Sequence, residues 1–522
     1  MITMMKIIMI LIWMLPVAAK MIKSVHMLQL NSYRNERYLL WISRNRTKVF
    51  QKRDTLLAVP VLLSFIGNAY LTLLSAVFTF IVLFLIRGKT TEKKKLVYTA
   101  RVKRLLVTTF IVYGILGAVA FFLPDAYSIA LLAISLVMGY YVLLLANTIN
   151  LPIEKQINEY YFSDAKKRLR ASKNLKVIGI TGSFGKTSVK HFMHAILVSK
   201  FNVLMTPESY NTKLGVTRTV REQLKPYHEI FIAEMGAKQT GDIKEICELA
   251  EQDYGVLTAV GEQHLETFKS LENIQKTKHE IIETLPENGV GVLNMDDENI
   301  MSYQPKNPCR KVYYGMKAEE ADIRAKDISY SNKGMDFTVV LKTGEMQTFR
   351  TKLLGEHNVY NILAGIAIAL EMGMTLQEMI KPIRNLEAVP HRLELKRTSG
   401  KITIIDDSFN SNPVGSKMAV DVLGSMDGFK MLVTPGMIEL GEKEYELNKE
   451  WAMYAAAKCD YIILVGKRQT KPLQDGLKEV NYPEAQYYVA EHLNDAISHM
   501  HQVAKEKTIV LLENDLPDTF NE

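Results

Sequence analysis

The chain has few cysteines, and its larger, C-terminal part has no surplus of positive charge. Cys247, Cys309 and Cys459 are scattered through 522 residues without paired spacing. This pattern excludes a disulfide framework, argues against a zinc site and fits reduced cytoplasmic thiols. Residues 151–522 contain 46 Lys and Arg against 52 Asp and Glu, so they lack the basic surface that nucleic-acid binding needs. We therefore expect no nucleic-acid partner.

Acidic residues are scarce in the first 150 residues, where four stand against 18 Lys and Arg. This part of the chain contains four apolar runs, at 7–19, 56–86, 105–123 and 127–147. A membrane-spanning helix needs about 20 apolar residues. No Asp, Glu, Lys, Arg or His lies inside the last three runs, which indicates an anchor or an assembly surface rather than a transport pathway.

The distribution of basic residues predicts the membrane topology. Lys and Arg are concentrated in the connectors 20–54 and 87–104, on both sides of the run 56–86, and the positive-inside rule places both connectors in the cytoplasm. The run must then cross twice, or enter and return, with its turn at Gly67-Asn68. One long tilted helix is the alternative, but it would place one connector outside. With two crossings around Pro124-Asp125, residues 1–150 make about five spans, with the N-terminus outside and the remainder in the cytoplasm.

A phosphate-binding loop follows the first apolar strand of the remaining chain, predicted at 177–181, and precedes a helix predicted at 189–199. The loop has the spacing Gly-x-x-Gly-Lys-Thr, which a chance glycine turn before a helix would rarely reproduce. In such loops the lysine contacts the β- and γ-phosphates and the hydroxyl of the next residue ligates Mg²⁺. The candidate nucleotide-binding residues are Gly182, Ser183, Gly185, Lys186, Thr187 and Ser188.

Three further apolar strands, at 230–233, 255–260 and 289–293, are each followed by a polar residue of interest. These residues are Glu234, His264 and Asn294. Strands that alternate with helices predict a parallel sheet, which binds ligands at the carboxyl ends of its strands. Taken singly, the three residues also fit a solvated strand end, a helix cap and a turn. Together with the phosphate-binding loop they indicate one site.

Further motifs follow in order: 233–237, 264–266 with 278–281, 355–361, 390–394, 405–413 and 436–442. With the loop 181–188, they resemble the motifs of the Mur ligases, the ATP-dependent amide ligases of peptidoglycan synthesis. The segments 405–413 and 436–442 resemble the MurF branch, which adds D-alanyl-D-alanine. The resemblance spans about residues 175–515.

Hydropathy and the resemblance together predict the domain organisation. An α-helical membrane region at 1–150 and a linker at 151–174 precede an α/β part. That part consists of a P-loop, parallel-sheet ATPase domain at 175–394 and a Rossmann-like ligase domain at 395–522. In the second domain, strands are expected at 402–405, 431–434, 461–465 and 508–512.

The resemblance also implies residue roles. Lys186, Glu234, His264 and Lys278 form the catalytic set. Thr187 and Glu234 hold one Mg²⁺, whereas His264 and a carbamylated Lys278 hold a second. Carbamylation gives the lysine a carboxylate-like group that can ligate a metal. For ATP, Asn294 contacts the adenine, and Arg392 and Asp407 close over the nucleotide. ATP phosphorylates a substrate carboxylate, and an amine then attacks the acyl phosphate.

Two departures from the family pattern leave three hypotheses open. The usual UDP-binding domain is replaced by the membrane region, and the residues at 512–518 are acidic where the MurF branch has Lys-Gly-Ser-Arg. The first hypothesis is a membrane-anchored MurF-like ligase that joins an amino acid or dipeptide to a UDP-linked or lipid-linked muropeptide precursor. The second is a ligase for another cell-envelope acid, such as a poly-γ-glutamate-type polymer. The third is a non-catalytic nucleotide-binding scaffold, which would need no second metal site.

Overall fold

The computed structural model describes residues 2–86, 95–331, 334–353, 355–397, 401–409 and 412–515. The chain divides after residue 159 into two compact units. Three sequence features lie wholly or partly outside the described residues: connector residues 87–94, the pair Asn410-Ser411 and the end of the segment 512–518.

The first unit is helical over its described residues. Its apolar faces pack around Trp13, Phe80, Tyr113 and Leu132, and the Trp13 indole N–H donates to the Leu132 carbonyl at 3.0 Å. Its helices are α1 (Ile2–Leu30), α2 (Asn35–Arg44), α3 (Arg46–Val49), α4 (Ala58–Leu63), α5 (Ala69–Leu85), α6 (Ala100–Phe122), α7 (Asp125–Val137) and α8 (Gly139–Ala171), the last of which continues past the unit boundary.

Within the described residues, α1 and α6 are long and apolar enough to cross a membrane. The helices α7 and α8, bent by 76° relative to each other, provide a third candidate if they form one span. The predicted turn in the run 56–86 is present, because Gly67 has φ +79° and the Asn68 side chain caps α5. The arm before that turn contains the six-residue α4, which is too short to cross alone. The count of about five spans stays a prediction.

The second unit begins with a sheet of nine described strands in the order β2-β3-β1-β4-β5-β6-β7-β8-β9. The strands are β1 (Lys176–Thr181), β2 (Val203–Met205), β3 (Ile230–Glu234), β4 (Tyr254–Leu257), β5 (Val290–Asn294), β6 (Arg310–Gly315), β7 (Ile323–Ser331), β8 (Gly334–Leu341) and β9 (Met346–Thr351). The helices are α9 (Lys186–Leu197), α10 (Lys213–Gln223), α11 (Asp242–Ala250), α12 (Leu265–Phe268), α13 (Leu271–Glu283), α14 (Glu298–Met301), α15 (Glu356–Glu371) and α16 (Leu376–Arg384).

The predicted parallel sheet is confirmed for β1 to β7, whereas β8 and β9 add antiparallel strands that the sequence did not reveal. Ile178 in β1 pairs with Ile232 in β3 on one side and with Tyr254 in β4 on the other. The chain therefore leaves β1 in one direction and returns on its other side. Such a reversal of strand order creates the crevice in which parallel sheets bind ligands.

A second sheet, with described strands in the order β10-β11-β15-β12-β13-β14, forms the C-terminal domain. Its strands are β10 (Glu394–Arg397), β11 (Ile402–Asp407), β12 (Phe429–Thr434), β13 (Tyr461–Val465), β14 (Tyr487–Ala490) and β15 (Thr508–Glu513). Its helices are α17 (Pro413–Gly424), α18 (Glu444–Ala456), α19 (Lys471–Glu479) and α20 (Leu493–Val503). Each of the four strands predicted in this domain is present. Of the six described strands in the sheet, five run parallel to one another and β10 is antiparallel.

Candidate active site

The loop between β1 and α9 is shaped to approach a ligand with its backbone. A Cβ atom at Gly182 would lie 2.0 Å from the Thr258 hydroxyl oxygen, so a larger residue cannot fit there. The Lys186 ammonium donates to the carbonyls of Gly182 at 2.6 Å and Ser183 at 3.2 Å. Desolvation lowers the pKa of Lys186 to about 8, although the Glu234 carboxylate opposes the shift.

Glu234 ends β3 with its side chain only 1% exposed. One carboxylate oxygen accepts from the Thr187 hydroxyl at 3.2 Å and from the Asn211 amide at 3.1 Å. The other lies 2.9 Å from the fully buried Lys190 ammonium. Burial raises the pKa of Glu234, but Lys190 and Lys186 outweigh this and hold it below its usual value. The carboxylate is therefore ionised at neutral pH.

The pair Thr187–Glu234 fits a magnesium ion. A hydroxyl oxygen and a carboxylate oxygen, already within contact distance of each other, are the hard ligands that Mg²⁺ prefers. Both lie at the carboxyl edge of the sheet, beside the Lys186 ammonium.

His264 follows β4 and adopts the left-handed backbone conformation, with φ +52°. Its Nδ1 is hydrogen-bonded to the carboxylate of Glu439, which belongs to the C-terminal domain. Burial lowers the pKa of His264, and the Lys238 and Lys278 charges reinforce this shift against the opposing Glu439 carboxylate. Neutral imidazole is the metal-binding form of histidine.

Lys278 lies on α13 with 2% of its surface exposed. Among the described residues, no carboxylate lies within ion-pair distance of its ammonium. Burial and the charge of Lys186 hold the pKa of Lys278 well below its usual range. A neutral amine is a weak ligand for Mg²⁺ but a nucleophile towards carbon dioxide, so a second metal fits this position only if Lys278 carries a carbamate.

A cavity of about 440 Å³ lies between the two sheet domains. It brings together the candidate nucleotide residues Gly185, Ser188, Asn294, Arg392 and Asp407. Its remaining polar lining includes His357, Asn358 and Asn361 from the start of α15. Desolvation lowers the pKa of His357 to about 4, so its ring is neutral. The neutral His357 ring and the side-chain amides of Asn358 and Asn361 leave this part of the cavity wall uncharged, which suits a heterocyclic base.

Arg392 and Asp407 approach the cavity from the C-terminal side. The Arg392 guanidinium stacks 4.6 Å from the Phe409 ring centroid, and Asp407 accepts a hydrogen bond from the Leu393 amide at 3.2 Å. Burial raises the pKa of Asp407 to about 6, although the Arg392 charge opposes this shift. Charged groups from the second domain thus face the same space as the phosphate-binding loop.

A separate group formed by His391, Glu394 and Asp406 has its ligand atoms within 4.8 Å of one another. A protein cation already occupies it, because the Lys396 ammonium contacts Asp406 and His391 Nδ1 lies 2.7 Å from the same oxygen. We assign no metal to this group.

Sequence reasoning did not identify four residues of the site: Lys190, Asn211, His357 and Glu439. Lys190 carried a usable signal, since it lies one helical turn after Lys186 and so shares its face. His357 and Glu439 were read only as parts of motifs. Asn211 lies outside every motif, and only the tertiary fold brings it to Glu234.

Comparisons with known proteins agree with this geometry. Residues 180–369 match the Mur ligase middle domain, and residues 391–513 match the family's C-terminal domain, described as Mur ligase, glutamate ligase domain. The UDP-N-acetylmuramoyl-tripeptide--D-alanyl-D-alanine ligase of Bacillus subtilis is 34% identical over 316 residues, which are 60% of this chain and 67% of that protein. The chain belongs to the Mur ligase family.

Other members of the family show the same relation. The Escherichia coli ligase of the same name is 33% identical over 59% of this chain and 68% of its own length. The crystal structure of the MurF ligase from Thermotoga maritima in complex with ADP superposes with a TM-score of 0.62 at 25% identity, covering 69% of this chain and 80% of that one. Both matched domains of this Mur ligase lie in the second unit, after the helices of the first.

Proposed function

We propose that the protein is a membrane-attached MurF-type ligase, which uses ATP to join D-alanyl-D-alanine to a muramoyl tripeptide. The observation that carries this proposal is that the candidate nucleotide and metal residues lie close together. The phosphate-binding lysine Lys186, the pair Thr187–Glu234 and the pair His264–Lys278 lie on one domain, and Arg392 and Asp407 of the next domain share the adjoining cavity. The relatives with the same two domains are named for this reaction.

The reaction requires activation of an unreactive carboxylate. The γ-phosphoryl group of ATP moves to the carboxylate oxygen, which gives an acyl phosphate and ADP. The amine then attacks the acyl carbon, the C–N bond forms and inorganic phosphate leaves with the C–O bond electrons. Lys186 and Arg392 supply positive charge where the phosphoryl group gains negative charge.

Two metal positions follow from the ligand types. Thr187 and Glu234 would hold one Mg²⁺, while His264 and a carbamylated Lys278 would hold the other. Bound Mg²⁺ neutralises phosphate charge and orients the transferring group. The low pKa of Lys278 supports carbamylation, because only the neutral amine adds to carbon dioxide.

The nucleotide base is proposed to occupy the 440 Å³ cavity, against Asn294 and the start of α15. The Asn294 carboxamide oxygen accepts from the Asp296 amide at 3.1 Å, which fixes the orientation of the side chain. An amide held in this way can pair with the edge of adenine. The site would then bind the phosphates at Lys186 and the base towards β5.

Attachment to the membrane is proposed to proceed through α1 and α6, with further spans and the catalytic domains on the cytoplasmic side. The excess of Lys and Arg in the first 150 residues supports this orientation. Residues 1–179, which include α1 and α6, precede the matched family domains. A lipid-linked muropeptide would suit a membrane-attached ligase.

A second candidate is the same chemistry with a different amine. Glu513 is 1% exposed, lines the cavity and accepts from the Ser416 hydroxyl at 2.7 Å. Next to it, Asn514 donates to the Gly436 carbonyl at 2.6 Å. A buried carboxylate here disfavours a second carboxylate nearby, so the alternative is an amine substrate without a terminal carboxylate.

Phosphate release from ATP by the full-length protein in detergent tests these proposals. The acceptors are the UDP-linked muramoyl tripeptide and its lipid-linked counterpart, each with and without D-alanyl-D-alanine or D-alanyl-D-alanine amide, and Lys186→Ala is the control. Release that requires the dipeptide supports the proposed function, and the preferred acceptor identifies the carrier. Release that requires the amide instead supports the second candidate. The absence of release with every pair, while ATP still binds, would overturn both.

A further inference from the structure

Glu439 makes a side-chain contact between the two sheet domains. It lies in the loop after β12, yet its carboxylate reaches His264, in the loop after β4 of the other domain. The carboxylate has two partners in the first domain. One oxygen bonds to His264 Nδ1, and the other lies 3.6 Å from the Lys238 ammonium.

The surrounding contacts show that this is a closely fitted interface. The Glu266 amide donates to the Glu439 carbonyl at 3.4 Å. Gly441 has φ +65°, and a Cβ atom there would lie 3.2 Å from the Glu266 nitrogen, so the two backbones approach closely. Beside them, the Lys443 ammonium pairs with Glu262 at 2.5 Å. The segments 262–266 and 439–443 thus form a continuous interdomain contact.

Both ends of the His264–Glu439 bond have unfavourable backbone conformations. His264 has φ +52° and Glu439 has φ +62°, a region that residues with a Cβ atom rarely adopt. Strained residues of this kind occur where the surrounding structure fixes them, often at functional sites. Here the two strained residues are hydrogen-bonded to each other through their side chains, across the domain boundary.

The chemistry of the bond determines how His264 can act. An ionised carboxylate can only accept a hydrogen bond, so Nδ1 carries the proton and donates a hydrogen bond to Glu439. The lone pair of the neutral ring is then on Nε2, the nitrogen that remains for a cation. A carboxylate that holds the second nitrogen of a metal-binding histidine fixes its tautomer and its ring orientation.

We propose that Glu439 is a positioning residue: it orients His264 from the opposite domain, so that the second metal site is complete only when the C-terminal domain has closed. This inference rests on the proposed function for the identity of the metal site, and it adds the coupling to domain closure. The metal held at His264 would then bind firmly only after the C-terminal domain has closed.

Manganese binding tests the proposal without depending on turnover. The full-length protein in detergent, with saturating ADP, is titrated with Mn²⁺, and bound metal is measured by electron paramagnetic resonance. We expect wild type to bind two ions, and His264→Ala to lose the weaker one. Loss of an outer-shell carboxylate typically costs about 10- to 100-fold in metal affinity, so Glu439→Ala should weaken the second ion by that factor and leave the first unchanged.

Two further variants separate positioning from mere closure. Glu439→Gln keeps an oxygen that accepts from Nδ1, so it should retain most of the affinity. Lys443→Ala breaks the neighbouring pair with Glu262 and does not touch His264, so it should leave both ions unchanged. Equal weakening by Glu439→Ala and Lys443→Ala, or no weakening by Glu439→Ala, would overturn the proposal.

The outcome for the proposed function is read separately. Phosphate release by wild type and its absence in Lys186→Ala report on the ligase reaction, whatever Glu439 does. One bound Mn²⁺ in wild type, together with dipeptide-dependent phosphate release, would overturn the positioning role and leave the ligase assignment intact.

Discussion

Lys190 is the residue whose removal should destabilise the catalytic domain most directly. Its ammonium and the Glu234 carboxylate, 0% and 1% exposed, form a buried pair at 2.9 Å. Lys190→Met leaves a buried carboxylate without its main counter-charge, and breaking a buried pair in this way typically costs about 3–5 kcal/mol. We expect a loss of this size in the free energy of unfolding, measured by urea denaturation in detergent.

The matched control for Lys190 is Lys200→Met. Lys200 pairs with Glu378 at a similar distance, 2.9 Å, but the two side chains are 39% and 42% exposed. Surface pairs contribute about 0–1 kcal/mol, so this variant should be nearly as stable as wild type. Saturating Mg²⁺ with ADP should restore part of the stability of Lys190→Met, because the metal supplies positive charge to Glu234. Equal losses in the two variants would contradict the buried-pair explanation.

Asp407 should set the acidic limit of activity. Burial raises its pKa to about 6, so the carboxylate that faces Arg392 is charged above that pH and becomes neutral as the pH falls through it. We expect kcat/KM for ATP to decrease below about pH 6, since kcat/KM follows the ionisation of the free enzyme. Asp407→Asn should have lower activity and lack this acidic limb. Asp475→Asn, which removes a carboxylate paired with Lys471, should retain it.

The candidate site residues that the sequence predicts are those with chemistry tied to a local pattern. Lys186 and Thr187 follow a glycine loop, and Glu234 and Asn294 end apolar strands. Their shared position follows from the rule that parallel strands end at one edge. Asn211 lies outside every motif, and the motif that contains Glu439 does not indicate a role for its carboxylate. The contact of Asn211 with Glu234 depends on the tertiary position of a loop, and the contact of Glu439 with His264 depends on the position of the second domain.

At the level of elements, the turn from β1 into α9 tolerates no side chain at Gly182. A methyl group there would lie 2.0 Å from the Thr258 hydroxyl oxygen and 3.0 Å from the Ala259 amide nitrogen. Gly182→Ala must therefore displace the loop, and we expect the affinity for a fluorescent ADP analogue to fall at least about tenfold, the equivalent of about 1.4 kcal/mol.

Gly241→Ala is the control for the Gly182 prediction. Gly241 also has a positive φ, +90°, but among the described residues no atom beyond its two chain neighbours lies within 4 Å of a Cβ atom there. Its substitution adds backbone strain without a steric clash at the nucleotide, so binding should be unchanged even if stability decreases. Normal ADP binding by Gly182→Ala would show that the loop relaxes at no cost.

Element types were more predictable than their pairing. The apolar runs predicted the ends of β1, β3, β5 and β13 to within one or two residues. A strand buried on both faces is an unbroken run of hydrophobic residues, so its ends can be seen in the sequence. The strands β2, β8, β9, β10 and β14 were not predicted. They lie at or near sheet edges, where one face or one side is less buried and the hydrophobic signal is weaker. The strands β6 and β7, which lie inside the first sheet, were not predicted either. The run 127–147 gave one predicted segment, but the structure breaks it at Met138 into α7 and α8.

For the whole molecule, composition identified the division into a cationic helical part and a mildly acidic α/β part. Hydropathy and charge act over whole segments, so they need no knowledge of tertiary contacts. The proposed number of membrane crossings depends on the run 56–86. One interpretation gives this run two crossings and the other gives it one. If the run enters and returns at Gly67-Asn68, the residues before and after it lie on the same side. If it crosses once, they lie on opposite sides.

Cysteine labelling with a membrane-impermeant maleimide distinguishes these topologies. The native thiols Cys247, Cys309 and Cys459 are buried, so an introduced cysteine dominates the signal. Ser43 in α2 and Tyr127 in α7 are exposed, and the run 56–86 and the 23-residue α6 lie between them. A returning run plus one crossing by α6 places them on opposite sides. We expect Tyr127→Cys to react in right-side-out vesicles and Ser43→Cys only in inverted ones.

A third position, Ser199→Cys in the exposed turn after α9, reports the side on which the catalytic domains lie. It should react together with Ser43→Cys, because ATP is available only in the cytoplasm and both positions are predicted to lie there. Reaction of Ser43→Cys and Tyr127→Cys from the same side would mean that the run 56–86 crosses once. The positive-inside rule would then fail for one basic connector. Labelling of Ser199→Cys from the outer face would separate the phosphate-binding loop from its nucleotide and overturn the proposed orientation.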